Sequence, residues 1–154
     1  MLKPLEVNFK GIVTISGPTK SGKSKFAEFL IKDQHSITYI ATARPRPNDS
    51  EWQKRIELHR LRRPTSWKLV EYPNDICNII DSTKERESLL IDSLGGLVEQ
   101  NLDKSDNDWE SFQNNVMACI THSKLGIAIV VEETGWGVSP STEIGHMFRE
   151  RLCK

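Results

Sequence analysis

The sequence is short of several things, and each shortage narrows the reading. Its longest unbroken apolar run spans residues 127–131, far below the ~20 residues a membrane-crossing helix needs. The N-terminal stretch Met1-Leu2-Lys3-Pro4-Leu5-Glu6 has no apolar core of the kind a secretory leader carries. Cysteines number three and are far apart, at 77, 119 and 153. An odd, scattered set without C-x-x-C or zinc spacing fits a reducing cytoplasmic setting better than a disulfide scaffold. There is no net charge, so nothing global draws the chain to nucleic acid or to an anionic membrane, and no nucleic-acid partner is expected. Internal repeats and low-complexity blocks are absent, and so is an Asn-Lys-x-Asp base-reading string, which speaks against a signalling GTPase. What is left is a somewhat polar, globular chain of 154 residues, the size of one domain with its own core.

Against that background one stretch stands out, Gly17-Pro18-Thr19-Lys20-Ser21-Gly22-Lys23-Ser24. It satisfies the phosphate-loop pattern G-x-x-x-x-G-K-[ST]. It follows a β-branched run, Ile12-Val13-Thr14-Ile15, and precedes a helical pattern carrying Phe26, Ala27, Phe29, Leu30 and Ile31. Strand, glycine loop and helix are the context in which the pattern has a mechanism. Backbone N–H groups turn inward around phosphate oxygens, and the helix N-terminus adds about half a positive charge behind them. Lys23 would reach the β- and γ-phosphates, and the Ser24 hydroxyl would ligate Mg²⁺. A nucleoside triphosphate is therefore the expected ligand.

The rest of the chain alternates strands and helices. Strands are expected over residues 11–16, 37–41, 66–72, 88–92 and 127–131, the last without polar alternation, as a buried parallel strand requires. Helices are expected from the glycine loop to about 32, over 51–62 capped by Asp49 or Ser50, from 76 behind Asn74-Asp75, over 109–122, and over 142–153. Residues 104–108 read as a polar loop. Phe112, Val116, Met117, Cys119 and Ile120 form the expected apolar side of the 109–122 helix, and the last helix carries Ile144, Phe148 and Leu152. The pattern predicts one α/β domain over residues 11–154, a mainly parallel sheet with helices on both faces, preceded by an arm over residues 1–10. Asp92 ends a buried strand, where an acid holds Mg²⁺ in nucleotide-binding α/β domains. The loop after residue 41 carries Arg44 and Arg46. The helix that follows places Trp52, Ile56, His59 and Arg63 on one face and crowds arginines into its last turn.

In order along residues 11–152, these landmarks resemble the adenosylcobinamide kinase / adenosylcobinamide-phosphate guanylyltransferase family. The pieces are the glycine loop, Tyr39-Ile40-Ala41-Thr42-Ala43, Arg55-Ile56-x-x-His59-Arg60-x-x-Arg63-Pro64, Trp67, Leu90-Ile91-Asp92-Ser93-Leu94, and Glu133-Thr134-Gly135-Trp136-Gly137-Val138-x-Pro140 followed by Phe148-Arg149. The Arg55–Pro64 string is the most specific of them. The form Glu132-Glu133-Thr134-Gly135-Trp136-Gly137 resembles the cyanobacterial branch. The resemblance implies a RecA-like phosphate-loop fold and a homotrimer. It implies two activities of cobalamin assembly: phosphorylation of adenosylcobinamide, and transfer of GMP from GTP to the resulting phosphate through a histidine–GMP intermediate on His59. Nucleotide contacts would fall on Gly17, Pro18, Thr19, Lys20, Ser21, Gly22, Lys23 and Ser24, on Thr42, Ala43 and Arg44, on Arg60, Leu61, Arg62 and Arg63, on Glu71 and on Asp92. Catalytic roles go to His59 and Lys23, and Mg²⁺ to Ser24 and Asp92. GTP or ATP would be the co-substrate, and adenosylcobinamide and its phosphate the partners. Family members continue past residue 154 with a further helix and a last apolar strand. Two alternatives stay open: a plain small-molecule kinase using the same loop, and a GTP-binding protein with impaired catalysis.

Overall fold

A computed structural model describes residues 10–154, so the expected N-terminal arm lies outside the described residues except for Lys10. The strands are β1 (Gly11–Gly17), β2 (Ile37–Ala41), β3 (Lys68–Glu71), β4 (Ser88–Asp92) and β5 (Gly126–Glu132). The helices are α1 (Lys23–Ile31), α2 (Ser50–Arg62), α3 (Ile76–Ser82), α4 (Leu94–Gln100), α5 (Asp106–His122) and α6 (Glu143–Cys153). The strands form one sheet in the order β1-β5-β4-β2-β3, and every pairing is parallel. The strand carrying the glycine loop is thus separated by β5 from the strand carrying Asp92, in keeping with the expected RecA-like class.

The inner strands read as unbroken apolar runs because both sheet faces are covered. Alternate residues serve opposite sides. Ile40, Leu89, Ile91, Ile127 and Ile129 pack under α3, α4 and α5. Ile15, Tyr39, Leu90, Ala128 and Val130 pack with Ala27 and Ile31 of α1. The two edge strands are largely exposed.

Side-chain caps set four of the helix starts. Asp49, Asp75, Ser105 and Thr142 accept from the backbone N–H of Trp52, Asn78, Asp108 and Gly145. Each such cap stabilises its helix by ~1 kcal/mol. Ser105 corrects the sequence reading, because α5 begins at Asp106 rather than at Trp109. The polar run taken for a loop is a capped first turn whose Asp106 and Asp108 favour the helix dipole.

Four apolar residues of the helical patterns lie outside. Phe26 and Phe29 of α1 are 54% and 59% exposed, because this short helix turns the stripe Ala27, Glu28 and Ile31 inward. Met117 and Ile144 are likewise exposed, while Trp109 and Arg151 are buried. Arg151 is the clasp of that side. It donates to the carbonyls of Asn101 (2.8 Å) and Lys104 (2.7 Å) and lies 5.0 Å from the Trp109 ring centroid. Arg151→Ala would strand both carbonyls and empty the space beside Trp109. A loss of about 2–4 kcal/mol in unfolding free energy is expected from urea titration; a change under about 0.5 kcal/mol would show the clasp to be idle.

Candidate active site

Because all five strands are parallel, their C-terminal ends share one edge of the sheet, where open α/β sheets bind ligands. The glycine loop leaves β1 there. Its turn needs left-handed backbone at Lys20 (φ 61°) and Gly22 (φ 89°), and only glycine adopts that region without strain. Gly22 is the N-cap of α1 and contributes no side-chain cap bond, so the first N–H groups of the helix are not capped by it and suit an anion. Lys23 donates from Nζ to the Pro18 carbonyl at 2.7 Å, which folds the lysine over its own loop. Ser24 is half-buried in the first turn, and Pro18, Thr19, Lys20 and Ser21 are exposed.

Asp92 sits two strands away, at the tip of β4, paired in register with Ala41 and Val130. Its Oδ2 accepts the hydroxyl of Tyr39. Burial, followed by the charge of Asp92, drives the Tyr39 pKa far above its ordinary value, so this hydroxyl is a standing donor to the carboxylate. Thr42 is fully buried. Its Oγ1 donates to the Ser93 carbonyl (2.6 Å) and accepts the Ser93 N–H (2.7 Å), which locks the tips of β2 and β4 together. Its own carbonyl accepts from Gln100 Nε2 at 2.6 Å. Ala43 and Arg44 are exposed beyond it. At the tip of β5, Glu132 accepts from the Ser93 hydroxyl and from Gly95 N–H.

Helix α2 has no buried residue. Its half-buried positions include Trp52, Ile56 and His59, with Arg63 at its C-cap, the face expected from the spacing. Two tethers hold its C-terminal end. Arg62 donates from Nε and Nη2 to the two carboxylate oxygens of the buried Glu28 on α1, at 3.3 and 3.2 Å. Arg63 lays its guanidinium 4.2 Å from the Tyr39 ring centroid and donates from Nε to the His59 carbonyl at 3.0 Å. A chain of contacts therefore runs from Asp92 through Tyr39 and Arg63 to the backbone of His59. Partial burial, and then the Arg62 charge, hold the His59 pKa below its ordinary value, with Asp92 and Glu28 pulling the other way.

Arg60, Arg63 and Glu71 meet along a groove of about 620 Å³ between α2 and β3, with Gln53, Ile56 and Leu69 on its walls. An adjoining groove of about 400 Å³ runs past Tyr39, Leu61 and Trp67. The predicted nucleotide residues thus fall into two sets. The glycine loop, Thr42, Ala43, Arg44 and Asp92 line the strand tips. Arg60, Arg63 and Glu71 line the larger groove, and Leu61, mostly exposed, lines the adjoining one. His59 lines neither groove; the charges of Asp92 and Glu28 reach its ring, and Arg62 is tied to Glu28 of α1.

Sequence reasoning assigned no role to Tyr39, Glu28 or Glu132. Glu28 carried a signal, since it is an acid spaced like Ala27 and Ile31 on the inward stripe of α1. Tyr39 and Glu132 stood only within the strings of the resemblance, with no partner to be read, because their partners lie 53 and 39 residues away.

A phosphate loop opening a helix, a parallel sheet with that loop at its carboxyl edge, and an acid on a strand one removed define a phosphate-loop, NTPase-like α/β domain. The chain belongs to the family described as cobinamide kinase / cobinamide phosphate guanyltransferase, whose profile matches residues 13–154. It is 28% identical over 155 residues to the bifunctional adenosylcobalamin biosynthesis protein CobU of Escherichia coli K12, covering 90% of this chain and 84% of that one. It is 32% identical over 137 residues to the bifunctional adenosylcobalamin biosynthesis protein CobP of Pseudomonas aeruginosa PAO1, covering 87% and 78%. Identity to CobU of Salmonella typhimurium LT2 is 25% over 154 residues, covering 90% and 84%.

Proposed function

We propose that the chain is a bifunctional enzyme that phosphorylates the side-arm hydroxyl of adenosylcobinamide and then transfers GMP from GTP to that phosphate. The observation that carries the reading is His59: a half-buried imidazole with a lowered pKa, on the arginine-rich helix that Arg63 and Tyr39 link to Asp92.

Attack at the α-phosphorus needs an uncharged imidazole nitrogen with a lone pair. His59 is kept in that form by burial and by Arg62. The nitrogen forms a P–N bond as the bond to pyrophosphate breaks, and the phosphate oxygen of the corrinoid later displaces the histidine. Lys23, the N–H groups of the loop and the arginines of α2 would hold the negative charge that develops on the leaving group. Arg62 reaches His59 through its charge while bonded to Glu28, so it positions and tunes rather than reacts. In the kinase step the same loop would hold the γ-phosphoryl group, with GTP or ATP as donor.

Ser24 and Asp92 offer hard oxygen donors of the type Mg²⁺ takes, and Tyr39 on Oδ2 orients the Asp92 carboxylate. The ion would neutralise phosphate charge there. By the same reading the enzyme is a cytoplasmic homotrimer. Exposed Leu58, Leu61 and Leu69 offer apolar surface for subunit contact, and sedimentation would test the assembly.

Incubation with GTP labelled at the α-phosphorus should leave an acid-labile, alkali-stable label on His59, and γ-labelled GTP should leave none. Absence of that adduct would remove the guanylyl step. The lowered pKa adds a pH test. Adduct formation should persist below the ordinary histidine value of ~6.5. Removing a neighbouring cation favours the protonated ring, so Arg62→Gln should move the acid limb to higher pH. Glu28→Gln removes an anion and should move it lower. Shifts of the same sign in both variants would contradict the charge arrangement around His59.

A further inference from the structure

The loop after β5 presents a large apolar surface with no partner in the described residues. Trp136 is 95% exposed and Val138 is 97% exposed, well beyond the other exposed large hydrophobic residues. Single exposed apolar side chains are ordinary, but a bare indole and valine two residues apart on a ligand-bearing edge are not.

Three observations tie the start of this loop to the glycine loop. Strand β5 lies between the strand of the glycine loop and the strand of Asp92. Glu132 pairs in register with Gly17, and the Glu133 N–H donates to the Gly17 carbonyl at 3.1 Å. Trp136 follows Glu133 by three residues, a chain reach of at most about 11 Å.

The loop is also held in shape. Glu133 Oε1 accepts the Trp136 N–H at 2.8 Å, and Arg149 of α6 donates to the Gly135 carbonyl at 2.7 Å. Further along, Pro140 lies against Gly145 so closely that a Cβ there would come within 2.8 Å of it. Backbone anchors at both ends with the side chains turned outward describe a platform rather than a loose tether.

We propose that Trp136 and Val138 form the docking platform for the corrin macrocycle of the substrate. This rests on the function proposed above. That substrate is a broad, flat, conjugated ring fringed with amides, and its reacting hydroxyl sits on a side arm. An indole face stacks on such a ring without needing a fixed hydrogen-bond pattern. A platform at the foot of the glycine loop leaves the ring outside the strand tips while its arm reaches in. Neither residue is among those assigned to the nucleotide.

The test uses the full chain with adenosylcobinamide and its phosphate as probes. Corrinoid binding is followed by equilibrium dialysis, and KM is measured for corrinoid and for GTP separately. Trp136→Ala is expected to raise the corrinoid Kd and KM by ~10-fold or more, with the KM for GTP unmoved. Trp136→Tyr should restore most of the loss, and Val138→Asp should weaken corrinoid binding in the same direction. Corrinoid constants unchanged in Trp136→Ala, in a chain that still labels His59, would overturn the platform and leave the function standing. A change in the mass of the assembly without a change in corrinoid constants would overturn it in favour of a contact between copies. Failure of the wild-type chain to bind corrinoid would overturn both.

Discussion

Lys23→Ala is expected to lower guanylyl transfer and phosphoryl transfer together, each by ~10²–10³-fold, whereas His59→Ala is expected to erase the covalent adduct and guanylyl transfer alone. The contrast follows from where the two groups act. Lys23 belongs to the glycine-loop pattern and opens the first turn of α1, and in the proposed mechanism it serves whatever triphosphate the loop holds. His59 belongs to α2, and in the proposed mechanism it supplies a nucleophile that only one of the two reactions needs. Measured side by side with α- and γ-labelled nucleotide, the pair separates a shared cradle from a dedicated nucleophile. Retention of the adduct in Lys23→Ala would mean that the triphosphate is held mainly by the groove arginines. Loss of both activities in His59→Ala at normal stability would mean that the histidine serves as a phosphate clamp.

Gly96→Ala is expected to destabilise the fold by about 2–4 kcal/mol, a severe effect for one methyl group. A Cβ at Gly96 would lie 2.2 Å from Thr42 Oγ1 and 2.8 Å from the Thr42 carbonyl carbon. The second contact is backbone and cannot swing away. Thr42 is fully buried, and its hydroxyl already makes both bonds to Ser93. Relieving the clash means lifting α4 or breaking the lock between β2 and β4 just beyond Asp92, so activity should fall with stability. Gly137→Ala is the matched control, since nothing lies within 4 Å of a Cβ there. Urea midpoints decide the matter. A Gly96→Ala midpoint equal to that of Gly137→Ala would show that α4 yields at no cost.

Much of the site could be read from the chain because its pieces are local. The glycine loop announces itself by residue type and spacing, and the strand and helix around it by periodicity. Asp92 follows from a short apolar run that ends in an acid. The half-buried face of α2, with Trp52, Ile56, His59 and Arg63, follows from helical geometry alone. The sequence left open what only a neighbour settles. Phe26 and Phe29 are as apolar as Ala27 and Ile31, but only the second pair meets the sheet. Arg151 reads as a surface cation until the carbonyls of Asn101 and Lys104 are brought to it from some 50 residues away.

Alone, the sequence determined most of the elements and the phosphate-loop pattern, though not α4 or the first turn of α5, because hydrophobic period, capping and glycine spacing act over a few neighbouring residues. Tertiary structure alone decided the strand order that sets β5 between the loop and Asp92, and the grip of Tyr39 on that acid. It also decided the bond from Arg62 to Glu28 and the bare face of Trp136. These join residues far apart in the chain, and no local preference encodes such a meeting. It comes about when the sheet closes and each side chain finds what the packing has left beside it.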